Sequence, residues 1–490
     1  MVCQDMTNAV LRGNPHPRLN EGNGRMGAAG ALLRCAALAC AACAWTGRGA
    51  PVPPAALPGN HPDPSICRAG NAYYLVTSSN KWYPGLPVYR SENLRDWTRV
   101  GHAASGHDWG RLPASSYCEW GLTDNFGLWA PTIRWHDGTF YIVCTLLDAG
   151  PRRPGHHNFI VTAKDPAGPW SAPMWIDGGY DPSLFFDDDG KVYLITVGIN
   201  MAEFDLATGQ TKGPFRQIAK GLTETSVAVE APHLYKMKGR YLLILAEGGT
   251  ERGHCTAAFV SDDVWGPYRA CSHNPVITAR GQGERVTVRN KGHADLVETP
   301  EGDLYAVFLG VRGEVGKPDY PFGRETFLCR ASFDGENLRF DDENLLAGAY
   351  VDSKTYYRTP AENCHLRRLT SLVDAETLEV ASAPDIAREG VVFANSSRAY
   401  CMLLKTADAI ELVWRCGERK GTLAKIPYAE KTAVLRLVFD HGTIRFFYGP
   451  SAKALKAIDK TVDFESLRRV GLYFNGPGIG TVRERNWPAE

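Results

Sequence analysis

From about Pro58 to Phe340 the chain alternates short apolar runs with polar, Gly-Pro, Asp-Gly and Pro-Gly breaks, and helical spacing is almost absent. Short apolar runs between such turn signals predict strand after strand. Five stretches share one plan, an opening with Pro or a small residue followed about eleven residues later by an aromatic-rich strand. Asp63-Pro64-Ser65 leads to Tyr73-Tyr74-Leu75-Val76, Ala130-Pro131-Thr132 to Phe140-Tyr141-Ile142-Val143, and Asp181-Pro182-Ser183 to Val192-Tyr193-Leu194-Ile195. Glu230-Ala231-Pro232-His233 leads to Tyr241-Leu242-Leu243-Ile244, and His293-Ala294-Asp295-Leu296 to Leu304-Tyr305-Ala306-Val307. Such self-similarity predicts a propeller with one blade per repeat. The expected fold is all-β, a five-bladed β-propeller over residues 58–340 followed by a second β domain.

Between residues 341 and 390 the pattern dissolves into charged, poorly periodic sequence, read as a linker and irregular segment. Alternation resumes in Val391 to Lys405, Ile410 to Arg415, Ala433 to Phe439, Thr443 to Tyr448 and Arg469 to Phe474. Several such strands in succession predict an accessory β-sandwich over 391–490. Five strands are few for two sheets, so an incomplete sandwich is expected.

Composition narrows the partners. The 490 residues carry a net charge of zero and no basic patch interleaved with aromatics, which argues against a nucleic-acid partner. Aromatic residues make up 10% of the chain, with 12 Trp, and suit a ligand whose ring faces can be stacked. No metal-type cysteine spacing occurs after residue 50, and Cys67, Cys144, Cys255, Cys329 and Cys401 sit singly in apolar runs. Residues 1–50 read as a presequence. The Ala/Leu/Cys run within 26–44 resembles a secretory signal with Met26 as the start, so a secreted protein is expected, with a cytoplasmic one as the alternative. No other apolar run is long enough to cross a membrane. Oligomeric state is not constrained.

Three of the five openings carry a carboxylate: Asp63, Asp181 and Glu230. Asp-Pro is a common turn dipeptide, yet its return as Asp-Pro-Ser at the same place in two repeats points to function. Glu230 follows the apolar Val227-Ala228-Val229, and a desolvated glutamate keeps its proton at higher pH. Acetal hydrolysis needs such a donor together with an ionised carboxylate that activates water. In the repeat alignment Glu230 lies one position earlier than Asp63 and Asp181, and neighbours on a strand face opposite ways unless a bulge intervenes. His293 aligns level with Glu230 and is expected in the central channel, where it orients Asp63 or holds a hydrated cation. Trp129, level with it in the second repeat, is expected to wall a sugar site.

At these residues the chain resembles glycoside hydrolase family 43, the β-xylosidase and α-L-arabinofuranosidase group. The likeness runs through the five openings, Ala246-Glu247-Gly248-Gly249-Thr250 and Gly323-Arg324-Glu325-Thr326, in family order. It implies a five-bladed propeller and an inverting single displacement. Asp63 then matches the general base, Glu230 the general acid and Asp181 the residue that orients the acid and tunes its pKa. Arg324 matches an arginine that binds sugar hydroxyls, and His293 a channel histidine beside calcium in some members; no other cofactor is implied. Asn80 stands where many β-xylosidases carry Phe in the pocket wall, which bears on xylose preference. The stretch between Thr196 and Glu203 is shorter than its counterpart, and the sandwich is trimmed around 353–390. The expected activity is exo-hydrolysis of terminal β-D-xylose from xylo-oligosaccharides. α-L-Arabinofuranosidase is the near rival, and a catalytically silent glycan-binding propeller the alternative from another class. The Arg-Asp-Pro and Glu-Cys signature of retaining fructan-type enzymes is absent.

Overall fold

The computed structural model describes residues 52–80, 82, 84–105, 126–148, 155–348, 357–358, 364–381, 386–396, 399–464, 467 and 477–485. The expected secretory segment at 26–44 lies outside them. Among the described residues no helix is long and apolar enough to cross a membrane.

Five antiparallel sheets follow one another along the chain, each built by neighbouring strands. Their first strands are Ser65–Ala69, Phe126–His136, Ser183–Phe186, Glu230–Met237 and Val288–Glu298. The second strands include Ala72–Val76, Thr139–Asp148, Val192–Thr196, Arg240–Glu247 and Leu304–Arg312, which carry the aromatic-rich runs that follow each opening. These are buried on both faces because each sheet packs against two others. Phe140 and Ile142 of the second sheet meet Tyr74 and Val88 of the first. Val143 and Ile160 meet Leu184 and Leu194 of the third, which turns Tyr193 and Ile195 onto Leu243 and Leu245 of the fourth. Leu242 and Ile244 pack on Phe308 and Phe327 of the fifth. Val307 and Leu328 of the fifth then return to Leu75 and Tyr89 of the first.

A single buried carboxylate ties the five sheets at their first strands. Asp295 of the fifth accepts from Ser65 Oγ at 2.5 Å and the Ile66 amide at 3.0 Å, from Arg134 Nη1 of the second sheet at 2.8 Å, and from the Tyr235 hydroxyl of the fourth. Arg134 Nη2 contacts His233 Nδ1 at 2.9 Å, and the third sheet joins through Ser183 Oγ, 3.3 Å from that nitrogen. Burial would raise the Asp295 pKa, but Arg134, His233 and the hydrogen bonds hold it well below the ordinary carboxylate range.

The segment 341–390 is not only linker. It contributes the strands Cys364–Arg368 and Val373–Ala381, which pair with Gly478–Arg485 and Thr432–Asp440. Only Glu376 and Val380 of Val373–Ala381 are buried, and one of the two is charged, so its sequence lacks the apolar stripe that alternation detects. With it, residues 357–485 form a seven-stranded and a four-stranded sheet, more strands than the five expected. Val391, Phe393 and Leu403 of the larger sheet pack on Leu435, Phe439 and Phe446 of the smaller. Phe322, from the fifth of the earlier sheets, enters the same core. Trp82 of the first packs on the outer face of the larger sheet against Leu366, Val392 and Leu404.

Candidate active site

All five openings adopt one local structure. Between Trp129 and Thr132, Glu230 and His233, and Gly292 and Asp295 the register slips so that two residues face one on the second strand. Backbone bonds from Ser78 N to Pro62 O and from Val197 N to Tyr180 O place the same two-against-one bulge at Asp63-Pro64 and Asp181-Pro182. Its first residue is left-handed every time: Asp63 φ 52°, Ala130 43°, Asp181 53°, Ala231 50° and His293 53°. For residues other than glycine this conformation costs about 1–3 kcal/mol each, a strain that collects at functional sites.

The bulge explains how Glu230 joins the aspartates. Ala231 takes the left-handed place equivalent to Asp63 and Asp181, and Glu230 is the residue before it, where the strand turns. His293 is level with Asp63, Asp181 and Ala231 rather than with Glu230, a correction to the sequence alignment. That alignment, made without the bulge, matched Ala294 to Ala231, one residue out.

Hydroxyl groups that sequence reading passed over complete the openings. Ser78 Oγ donates to Asp63 Oδ2 at 2.6 Å and accepts from the Ala130 amide at 2.7 Å. Thr145, at the corresponding point of the second repeat, accepts from the Asp181 amide at 3.1 Å and donates to Asn158 at 2.9 Å. Each hydroxyl satisfies the N–H that the next repeat's bulge turns away from its own sheet. The signal was present as Ser or Thr at the end of a repeat's second strand, but only the pairing reveals the equivalence.

Asp63 is 5% exposed and anchored on both oxygens. Arg324 Nη1 donates to Oδ1 at 2.8 Å and to Thr250 Oγ1 at 3.1 Å, while His293 Nδ1 stands 3.5 Å from the same Asp63 oxygen. Burial would raise the Asp63 pKa, but Arg324, then His293 and Ser78, bring it below the ordinary value. His293 is itself shifted down, chiefly by burial, so it stands there as a neutral imidazole. Glu230 is half-buried, and burial followed by the charge of Asp63 pushes it up to about 7, against a Tyr180 hydrogen bond and Arg324. Asp181, 8% exposed, is raised well above its ordinary value by burial, then by Glu230 and Asp63. The site thus separates an ionised carboxylate from a pair that retains protons, which is what an acid and a base working together require.

Arg324 and Asp63 are held by one clamp. Glu325 is fully buried, accepts from Arg312 Nε at 2.5 Å and Nη2 at 2.8 Å, and accepts the Gly59 amide at 2.7 Å. The His61 amide donates to Arg324 O at 2.8 Å, and Thr326 Oγ1 donates to His61 O at 2.6 Å. Arg312 also lies over the Phe322 ring, 5.3 Å from its centroid. His254, likewise absent from the sequence expectations, is 1% exposed, and its Nδ1 is 2.9 Å from Asn290 O. A Cβ on Gly292 would meet its ring at 2.5 Å, so the residue before His293 is glycine for lack of room.

The remaining expected residues fall around this cluster. Trp129 opens the second bulge, half-buried, and Gly127 gives its indole space, since a Cβ there would lie 2.2 Å from Nε1. Asn80 has φ 48° and pairs through its backbone with Leu128, joining the first and second sheets. Asn tolerates that left-handed backbone where Phe would be strained. Its side-chain Nδ2 is buried with no hydrogen-bond partner among the described residues.

Calcium takes about six to eight oxygen ligands. Beside His293 stand an imidazole and the Asp63 carboxylate, already engaged by Ser78 and Arg324, and no group of three or more His, Cys, Asp or Glu among the described residues could hold a metal. This donor set does not fit directly coordinated calcium.

The profile of glycosyl hydrolases family 43 matches residues 54–337. A xylosidase/arabinosidase of Butyrivibrio fibrisolvens is 39% identical over 291 residues, covering 56% of this chain and 53% of that protein. A non-reducing end alpha-L-arabinofuranosidase of Bacteroides ovatus is 40% identical over 286 residues, covering 57% of this chain and 51% of that protein. The match therefore spans about half the length of these curated relatives. The crystal structure of a xylan beta-1,4-xylosidase from Bacillus halodurans C-125 aligns with a TM-score of 0.75 at 26% identity, covering 88% of this chain and 96% of that one. The fold is all-β and matches such family 43 structures, which are β-propellers. With a profile match over more than half of its length and the same architecture, the chain belongs to glycosyl hydrolases family 43.

Proposed function

We propose that the protein is an inverting exo-glycosidase that removes terminal β-D-xylosyl residues from xylo-oligosaccharides. The observation that carries the proposal is the opposition of pKa shifts at one cluster: Asp63 is held ionised while Glu230 rises to about 7. In a single displacement, Asp63 takes a proton from water as its oxygen bonds to the anomeric carbon. Glu230 gives its proton to the departing glycosidic oxygen as that bond breaks. Asp181, which retains its own proton beside Glu230, orients the acid, while Arg324, Asn80 and Trp129 bind and wall the sugar.

In this reading the five sheets, each packed on the next and the last on the first, are the blades of a propeller spanning 58–340. The two later sheets are an accessory β-sandwich beginning near residue 364. An α-L-arabinofuranosidase is the second reading, favoured by the Bacteroides ovatus relative's name. Turnover of aryl β-xyloside against aryl α-L-arabinofuranoside decides between them. Asp63→Ala and Glu230→Ala are each expected to lower kcat/KM on xylobiose by about 10³-fold. An activated aryl leaving group should rescue only the Glu230 variant, because it needs little protonation. Undiminished turnover in either variant overturns the proposal, and NMR of the first-formed xylose anomer tests inversion.

A further inference from the structure

At the opposite ends of the five first strands from the acids lies a second cavity, of about 390 Å³. Every one of the five sheets contributes to its wall, and Arg134 and Tyr235, bound to Asp295, close its floor. The volume is within the usual range for small-molecule sites.

Its lining combines ring faces with bound polar groups. Trp135 is 42% exposed, one of few large hydrophobic side chains left open among the described residues. Phe186 has one face covered by His136, stacked at 4.3 Å, and Tyr235 adds a third ring. The charges offset one another. Arg134 is paired with Asp295 at 2.8 Å, Lys236 with Asp187 and Asp188 at 3.0 Å each, and Arg68 donates to the backbone carbonyl of Glu298 at 2.9 Å. With Arg134 and Lys236 already paired, and Glu298 in the same lining as Arg68, the wall carries little net charge with which to select an anion or a cation. An open indole among fixed polar side chains suits a neutral ligand that has an apolar ring face and many hydroxyls.

We infer that this cavity is a second, non-catalytic binding site for a neutral oligosaccharide, with Trp135 as its stacking platform. The choice of xylo-oligosaccharide as occupant rests on the proposed activity. The site itself needs only a sugar of that chemistry.

The test uses the full chain with Asp63→Asn, which holds substrate without turnover, and xylotetraose or arabinotetraose as probe. Hydrogen exchange is expected to show protection at residues 134–137 and 184–187 as well as around the acids, and Trp135→Ala in the same background should remove the first set alone. In the active enzyme, Trp135→Ala should leave kcat/KM on an aryl xyloside within about twofold, while in the Asp63→Asn background calorimetric binding of the tetrasaccharide falls at least tenfold at that site. Protection confined to the acid cluster, or far-end protection that survives Trp135→Ala unchanged, overturns the inference. Failure of the xylosidase reading would show instead as no aryl xyloside turnover in the wild type, whichever sugar protects the far end.

Discussion

Arg324 touches one carboxylate and acts on three. It lowers the pKa of Asp63 by direct contact and those of Glu230 and Asp181 through space. The pH dependence of kcat/KM reports the base on its acid limb and the acid on its alkaline limb. For the wild type the acid limb should fall below the ordinary aspartate range and the alkaline limb should centre near 7. Arg324→Gln removes a lowering influence from both groups, so both limbs should move to higher pH. The acid limb should move further, by about one unit, because the contact is there. Limbs that stay in place would show that Arg324 binds sugar without setting the charge. Glu325 does not reach the reaction, and it acts by holding Gly59 and Arg312. Glu325→Gln keeps its shape but weakens the charged clamp, and is expected to lower kcat several-fold with little change in KM.

At the scale of elements, the repeated bulge converts five similar strands into one site. A regular strand would turn Glu230 and the residue equivalent to Asp63 to opposite faces. The extra residue, left-handed at Ala231, brings both to the same end. The loop carrying Arg324 is anchored differently, through Phe322 in the core of the C-terminal sheets. Phe322→Ala should cost about 3–5 kcal/mol, as other large-to-small changes at buried rings do. Chemical denaturation reads that loss. A raised KM for aryl xyloside should accompany it, because Arg324 and Asp63 lose the support of Arg312. A drop in stability with KM unchanged would separate the C-terminal sheets from the site.

For the whole molecule the decisive group is Asp295, whose partners come from the first, second and fourth sheets and, through His233, the third. Its folded pKa is depressed, so its contribution to stability is full above the unfolded carboxylate value of about 4 and fades as the pH falls below that toward the folded value. Asp295→Ala leaves Arg134 buried without its carboxylate, and should cost about 3–5 kcal/mol at neutral pH. The same change should flatten the fall of stability between about pH 4 and pH 2, read from thermal unfolding across that window. A variant as acid-sensitive as the wild type would place the acid lability elsewhere.

Much of the protein was legible in one dimension. Continuous apolar runs marked the second strands, because a strand between two packed sheets must be apolar over its length. Self-similar openings marked the repeats, and Asp63, Asp181 and Glu230 stood out because carboxylates interrupt otherwise apolar openings. The strand Val373–Ala381 escaped notice because only Glu376 and Val380 are buried in it and one of the two is charged, so no apolar stripe marks its inner face. The level of His293, the use of Ser78 and Thr145, and the meeting of Arg324 with Asp63 across 261 residues were settled only by the tertiary structure. So were the charges of the acids. Local pattern records which face of a strand is buried, whereas a pKa depends on burial and on charges brought near by distant parts of the chain. Sequence therefore determined which groups could react, and folding decided which of them hold protons.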